Sequence, residues 1–148
     1  MPSAATPAIA ALVAAKVPHE VLRYAHDPRA QSFGEEAVEQ LAATSGLTAE
    51  QVFKTLVIDL SGQLAVAVLP VPRKLSLKAA AAALGAAKAK MADQAAAQRS
   101  TGYVLGGISP FGQRRPLPTV STRRRCGGSG CCAVPASAGG TSRCTRAT

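Results

Sequence analysis

The chain has 148 residues, 17 Lys and Arg against 8 Asp and Glu, and a formal net charge of +9. Its 47% hydrophobic content is that of a globular domain with a real core and excludes wholesale disorder. No apolar run approaches the roughly 20 residues that span a bilayer, and the Ala-rich start lacks a basic segment before it, so the expectation is a soluble, cytoplasmic protein with no membrane partner.

Thr6-Pro7 reads as a helix start, a capping hydroxyl followed by Pro at the first helical position. Ile9, Leu12, Val13 and Val17 follow at helical spacing, and Pro18 closes the segment. Val21, Leu22 and Tyr24 suggest a short strand, ended by the turn cluster His26-Asp27-Pro28. Ser32 and Glu35 have capping-box spacing, and Ala37, Val38 and Leu41 mark a second helix ending near Gly46. Thr48 and Gln51 repeat the box before Phe53. Two apolar runs, Phe53 to Leu60 and Gln63 to Leu69, flank Ser61-Gly62 and read as a buried hairpin. Ser76 caps a helix over Leu77 to Leu84, stopped by Gly85, and Asp93 caps another over Gln94 to Gln98. Tyr103 to Leu105 reads as a strand entering a loop from Gly106 to Gly112, and Leu117 to Val120 begins a further strand. The elements alternate without a regular βαβ repeat, which points to an α+β fold with a mixed, largely antiparallel sheet.

The average charge hides two regimes. Residues 1–120 hold twelve basic and all eight acidic side chains, a net of +4. Residues 121–148 hold five arginines, no acid and all four cysteines. Their Arg/Cys/Gly/Ser/Ala composition has neither helical nor strand periodicity, and the expectation is disorder. The tail cysteines, Cys126, Cys131, Cys132 and Cys144, lack the paired C-x2-C knuckles of a zinc site. No metal or other cofactor is expected.

Familiar catalytic signatures are missing. There is no Walker loop, and the glycines at 102, 106, 107 and 112 have the wrong spacing for a dinucleotide fingerprint. The two histidines, His19 and His26, flank a short predicted strand, and a loop or strand-end histidine is more often a solvated polar group than a base. Lys54 stands out, because it begins a strand that otherwise reads as buried. Most strand lysines are edge or solvent residues. Beside a pocket, though, this one would offer a positive charge and three donors to a carbonyl, a carboxylate or a phosphate. The loop from Gly106 to Gly112 is either a plain turn or a set of backbone donors for an oxygen or phosphate. Arg114-Arg115, directly after it, either faces solvent or holds phosphates, with Arg99 as a further candidate for RNA contact.

Seven stretches together resemble the Cys-tRNA(Pro) deacylase family of the YbaK/EbsC type. They are Thr6-Pro7-Ala8, Tyr24-Ala25-His26-Asp27-Pro28, Phe33-Gly34-Glu35-Glu36, Phe53-Lys54-Thr55-Leu56-Val57, Lys90-Met91-Ala92-Asp93, Gln98-Arg99-Ser100-Thr101-Gly102-Tyr103 and Gly106-Gly107-Ile108-Ser109-Pro110. The resemblance covers about residues 6–120. It implies an α+β, barrel-like editing domain over residues 1–120 that removes wrong amino acids from tRNA(Pro) in trans, beside prolyl-tRNA synthetase. Lys54 matches the family's essential lysine. Gly106, Gly107, Ile108, Ser109 and Pro110 match its G-x-x-x-P loop, which holds the terminal ribose and ester. Tyr24, Phe33 and Thr55 match pocket-lining positions. In cysteine-specific members the substrate's own thiol attacks the ester, so neither a triad nor a metal is required. Two other functions fit the same residues: a sibling deacylase for Ala-tRNA(Pro) or another small residue, and a tRNA- or synthetase-binding module without turnover. The chain departs from the family after Val120, where the family continues through strands and a helix. The expectation is that the C-terminal part of the fold is missing, that residues 121–148 are a frameshift product, and that sequencing the coding DNA will reveal an alternative frame restoring that ending.

Overall fold

The computed structural model describes residues 6–22, 24, 27, 29, 33–104, 107–121, 131–133 and 141–144. The expectations for His26, Ser32, Leu105, Gly106, Cys126 and most of the tail lie outside these residues.

Helix α1 runs over Pro7–Ala14, with the Thr6 hydroxyl accepting from the Ile9 N–H at 3.3 Å. Strand β1 is His19–Leu22 and helix α2 is Phe33–Ser45, stopped by Gly46 at φ 67°. A 3-10 turn at Ala49–Gln51 leads into β2, Val52–Asp59. The Gln51 side chain accepts from the Thr48 N–H at 2.9 Å, as the box spacing predicts. Strand β3 is Leu64–Pro70. Between β2 and β3, Ser61 and Gly62 both take positive φ, 64° and 106°, and the Leu60 N–H donates to the Gln63 carbonyl at 2.7 Å. Positive φ at both central residues is the geometry of a tight two-residue hairpin turn.

Helix α3 is Leu77–Ala83, capped by Ser76. A two-residue strand, β4 at Lys90–Met91, precedes α4, Gln94–Thr101, capped by Asp93. Strand β5 is Thr119–Ser121. Tyr103 and Val104 are not a strand, contrary to the sequence expectation. The Tyr103 ring is buried and its hydroxyl donates to the Phe111 carbonyl at 2.6 Å, so the chain bends to bring the ring inward.

The expectation of an unstructured tail is corrected at two segments. Cys131–Ala133 forms β6, parallel to β2, and Thr141–Cys144 forms β7, antiparallel to β6 and β1. Backbone ladders need no apolar pattern, and the open edges of β1 and β2 supply the partners. Sheet order is β1-β7-β6-β2-β3-β5, with β4 beside β2. Four ladders are antiparallel and two parallel, so the sheet is mixed and largely antiparallel, as expected. It runs as an open path with ends at β1 and β5.

Strand alternation divides the core. Val52 and Ile58 project to one face of β2, where Ala37 and Leu41 of α2 and Ala80 of α3 cover them. Val57 projects to the other face, against Ala97 of α4, Tyr103 and Ile108. Lys54 shares the parity of Val52 and Ile58, so it emerges between α2 and α3.

Candidate functional site

Lys54 is half-buried near the start of β2. Its ammonium donates to the Val71 carbonyl at 3.0 Å, just beyond the end of β3. The Val71 N–H in turn donates to the Val52 carbonyl at 2.8 Å, which extends the ladder and fixes that carbonyl. The first turn of α2 lies close by: a Cβ on Gly34 would stand 3.1 Å from Val71 Cγ1. Glycine there lets α2 approach the lysine's acceptor. A cleft of about 440 Å³ opens around Lys54, lined also by Glu35, Glu39, Arg73 and Lys74. Glu35 and Glu39 are four apart on one helix, so both carboxylates face the same way. Arg73 is held by an exposed ion pair to Glu50 at 3.3 Å. The cleft therefore presents two further cations and two carboxylates around a lysine that makes one hydrogen bond among the described residues.

The carboxylates and Arg73-Lys74 were not singled out as site residues from sequence. Glu35 carried a signal only in a helix-start pattern and in the Phe33-Gly34-Glu35-Glu36 stretch of the resemblance, in neither case as a site residue. Of the expected lining residues, Tyr24 is half-buried and packs on the cluster of Leu41 and Val52 that also takes Val71. Phe33 is the first residue of α2. Thr55 is half-buried, and strand alternation sends it to the face opposite Lys54.

The glycine loop belongs to that other face. Ile108 packs with Val57, Ala97 and Tyr103, and Ser109 is buried. The Gly107 N–H donates to the Val104 carbonyl at 2.9 Å and the Phe111 N–H to Ser109 Oγ at 3.2 Å. Pro110 is half-buried. None of the described loop residues lines the Lys54 cleft. The loop is closed onto the start of α1 instead, where Gly112 sits against Pro7 and Ala8.

Burial pushes the Tyr103 phenol above its ordinary value of 10.0, outweighing hydrogen bonds from the Ser109 side chain and the Ala8 backbone that favour ionisation. A pKa raised by folding stabilises fully below the unfolded value and loses that contribution as pH rises through the folded value. Thermal melts should therefore fall off above about pH 10 more steeply in the wild type than in Tyr103→Phe. At neutral pH the same variant should cost about 1 kcal/mol, because the Phe111 carbonyl loses its donor.

The three arginines expected at RNA are brought together at the C-terminal end of α4. Arg99 lies in its last turn, the Arg114 N–H donates to the Thr101 carbonyl at 2.9 Å, and the Arg115 N–H to Ser100 at 3.1 Å. Cations at a helix C-terminus are favoured by the exposed carbonyl dipoles whatever else they do. Among the described residues, no group of three or more His, Cys, Asp or Glu side chains could hold a metal ion, and no helix is long and apolar enough to cross a membrane.

Comparison with known proteins gives a consistent result. The profile of the aminoacyl-tRNA editing domain matches residues 34–121, more than half of the chain. EbsC of Enterococcus faecalis, named as a candidate Cys-tRNA(Pro)/Cys-tRNA(Cys) deacylase, is 36% identical over 85 residues, 56% of this chain and 51% of that protein. The matched segment thus spans about half the length of this relative. Among solved structures, a candidate trans-editing enzyme for prolyl-tRNA synthetase superposes with a TM-score of 0.78 at 21% identity, covering 98% of this chain and 88% of the other. The hypothetical protein APE2540 superposes at 0.76 with 17% identity over 95% and 89% of the two chains. At these identities the superpositions speak for the fold alone.

Proposed function

We propose, given that this chain belongs to the aminoacyl-tRNA editing domain family, that it deacylates mischarged Cys-tRNA(Pro) in trans. The observation that carries the reading is Lys54, half-buried and anchored on the Val71 carbonyl in a cleft that holds charges of both signs. An aminoacyl ester at a tRNA 3′ end also carries both signs, an α-ammonium on the amino acid and phosphates on the nucleotide. Glu35 and Glu39 suit the ammonium. Lys54, Arg73 and Lys74 suit the phosphate or the ester oxygen. A cleft of about 440 Å³ is of the size that takes such a group.

The ester is already activated, so positioning and charge stabilisation supply most of what catalysis needs. In the proposed reaction the substrate's cysteine sulfur attacks its own ester carbonyl. The carbon–oxygen bond to the ribose breaks, a cyclic thiolactone forms, and the thiol proton ends on the ribose oxygen. Lys54 orients the ester or terminal phosphate and does not abstract the proton. The test is incubation with Cys-tRNA(Pro) and Ala-tRNA(Pro). Alanine has no thiol, so the reading expects cysteine released and alanine retained. Equal release of both would sink the substrate-assisted route and favour the deacylase for small residues. Prolyl-tRNA synthetase, which makes the error, is the proposed working partner.

A further inference from the structure

We infer that the segment from Arg73 to Lys90 is the surface along which the tRNA backbone lies as it leaves the Lys54 cleft. The inference rests on the deacylase reading, and it deepens that reading by naming the face that meets the nucleic acid. This segment carries five cations, Arg73, Lys74, Lys78, Lys88 and Lys90, and no acid. Residues 1–120 net only +4, so this one stretch carries more positive charge than the net of the whole region, the rest of which is slightly acidic. Its two ends border two clefts. Arg73 and Lys74 line the one around Lys54. Lys88 and Lys90 line a second, of about 480 Å³, with Asp59, Ser61 and Gly62. Lys54 and Asp59 are five residues apart on β2, about 17 Å at strand rise, with Asp59 on the Val57 face at the hairpin end of the sheet. That is the length of about five stacked nucleotides.

Along the chain between these two cleft-lining ends runs α3, which buries Ala80 and Ala81 and packs Ala80 on Ile58 and Ala65 of the sheet. Outward it shows Lys78, Ala79, Ala82 and Ala83, all exposed. Short side chains let a phosphate backbone come close, and lysines supply the charge. Arg73 and Lys90 are partly neutralised, by Glu50 at 3.3 Å and Asp59 at 4.0 Å. Among the described residues, Lys74, Lys78 and Lys88 have no carboxylate partner. The face also decides between this surface and the arginines at α4. Ala80 of α3 and Lys54 lie on the same face of β2, whereas α4 covers the opposite one. A tRNA whose 3′ end enters the Lys54 cleft meets Arg73, Lys74 and Lys78 without crossing the sheet, and reaches Lys88 and Lys90 at the sheet's hairpin end, where Ser61 and Gly62 line the second cleft with them.

The experiment measures tRNA affinity against salt for the wild type, the Lys78→Glu/Lys88→Glu variant and the Arg114→Glu/Arg115→Glu variant. Turnover of cysteinyl-adenosine, a substrate too short to reach α3, is followed beside it. The lysine variant should bind tRNA at least about tenfold more weakly at low salt, with its salt slope reduced by about 1.5 for two lost phosphate contacts. Its turnover of cysteinyl-adenosine should equal that of the wild type. Wild-type affinity and slope in the lysine variant would overturn the inference, as would a loss confined to the arginine variant. If the wild type binds tRNA through the lysines yet cleaves neither ester, the surface stands and the deacylase reading falls.

Discussion

Replacing Lys54 with alanine should lower the rate of cysteine release by about a hundred- to a thousandfold, equivalent to about 3–4 kcal/mol of lost transition-state stabilisation. The fold should survive. The side chain is only half-buried, and its one hydrogen bond among the described residues goes to the Val71 carbonyl, at the margin of the sheet. Lys54→Met separates charge from packing, since it keeps an apolar stem and removes the ammonium. Both variants should melt within a few degrees of the wild type and both should be inactive. If methionine restored turnover, the lysine would be packing the cleft and not serving the ester.

The largest structural effect is expected from Gly112→Ala. A Cβ at this position would lie 2.2 Å from the Pro7 carbonyl oxygen and 2.5 Å from its carbon, and the residue has a φ of +65°. Backbone on both sides of the contact leaves no flexible side chain to give way. The substitution should cost about 3–5 kcal/mol, a large share of a domain's whole stability. Gly85→Ala is the matched control. Its φ is +72° but nothing lies within 4 Å of the added atom, so it should cost only about 1 kcal/mol for the left-handed backbone. Urea melts of the two variants read the difference directly. Equal losses would mean that the loop can back away from α1.

Sequence chemistry reached furthest where structure is decided locally. Thr6, Ser76 and Asp93 cap the helices they were expected to cap, because the accepting oxygen and the free N–H are three residues apart in the chain. Ser61-Gly62 makes the expected hairpin for the same reason. What the sequence hid depends on distant pieces meeting. Lys54 finds its acceptor 17 residues away, and its neighbours Glu35, Glu39 and Lys74 come from α2 and the turn after β3. Strand β4 is two residues long and exists because Lys90 and Met91 reach Asp59 and Ile58. Tyr103 looked like a strand residue, but its hydroxyl is drawn to Phe111 across a turn. The tail strands were invisible because ladder pairing at Cys132 and Ser142 leaves no apolar alternation to read. The resemblance joined Lys54 to the glycine loop. The structure sets Ile108 of that loop on one face of β2 and Lys54 on the other.

The most direct measurement is the rate at which the purified chain releases cysteine from Cys-tRNA(Pro), with correctly charged Pro-tRNA(Pro) alongside. The account predicts release far above the buffer rate for Cys-tRNA(Pro), none above it for Pro-tRNA(Pro), and a collapse to the buffer rate in Lys54→Ala. Release no faster than buffer from Cys-tRNA(Pro), by a chain that melts cooperatively, would contradict it.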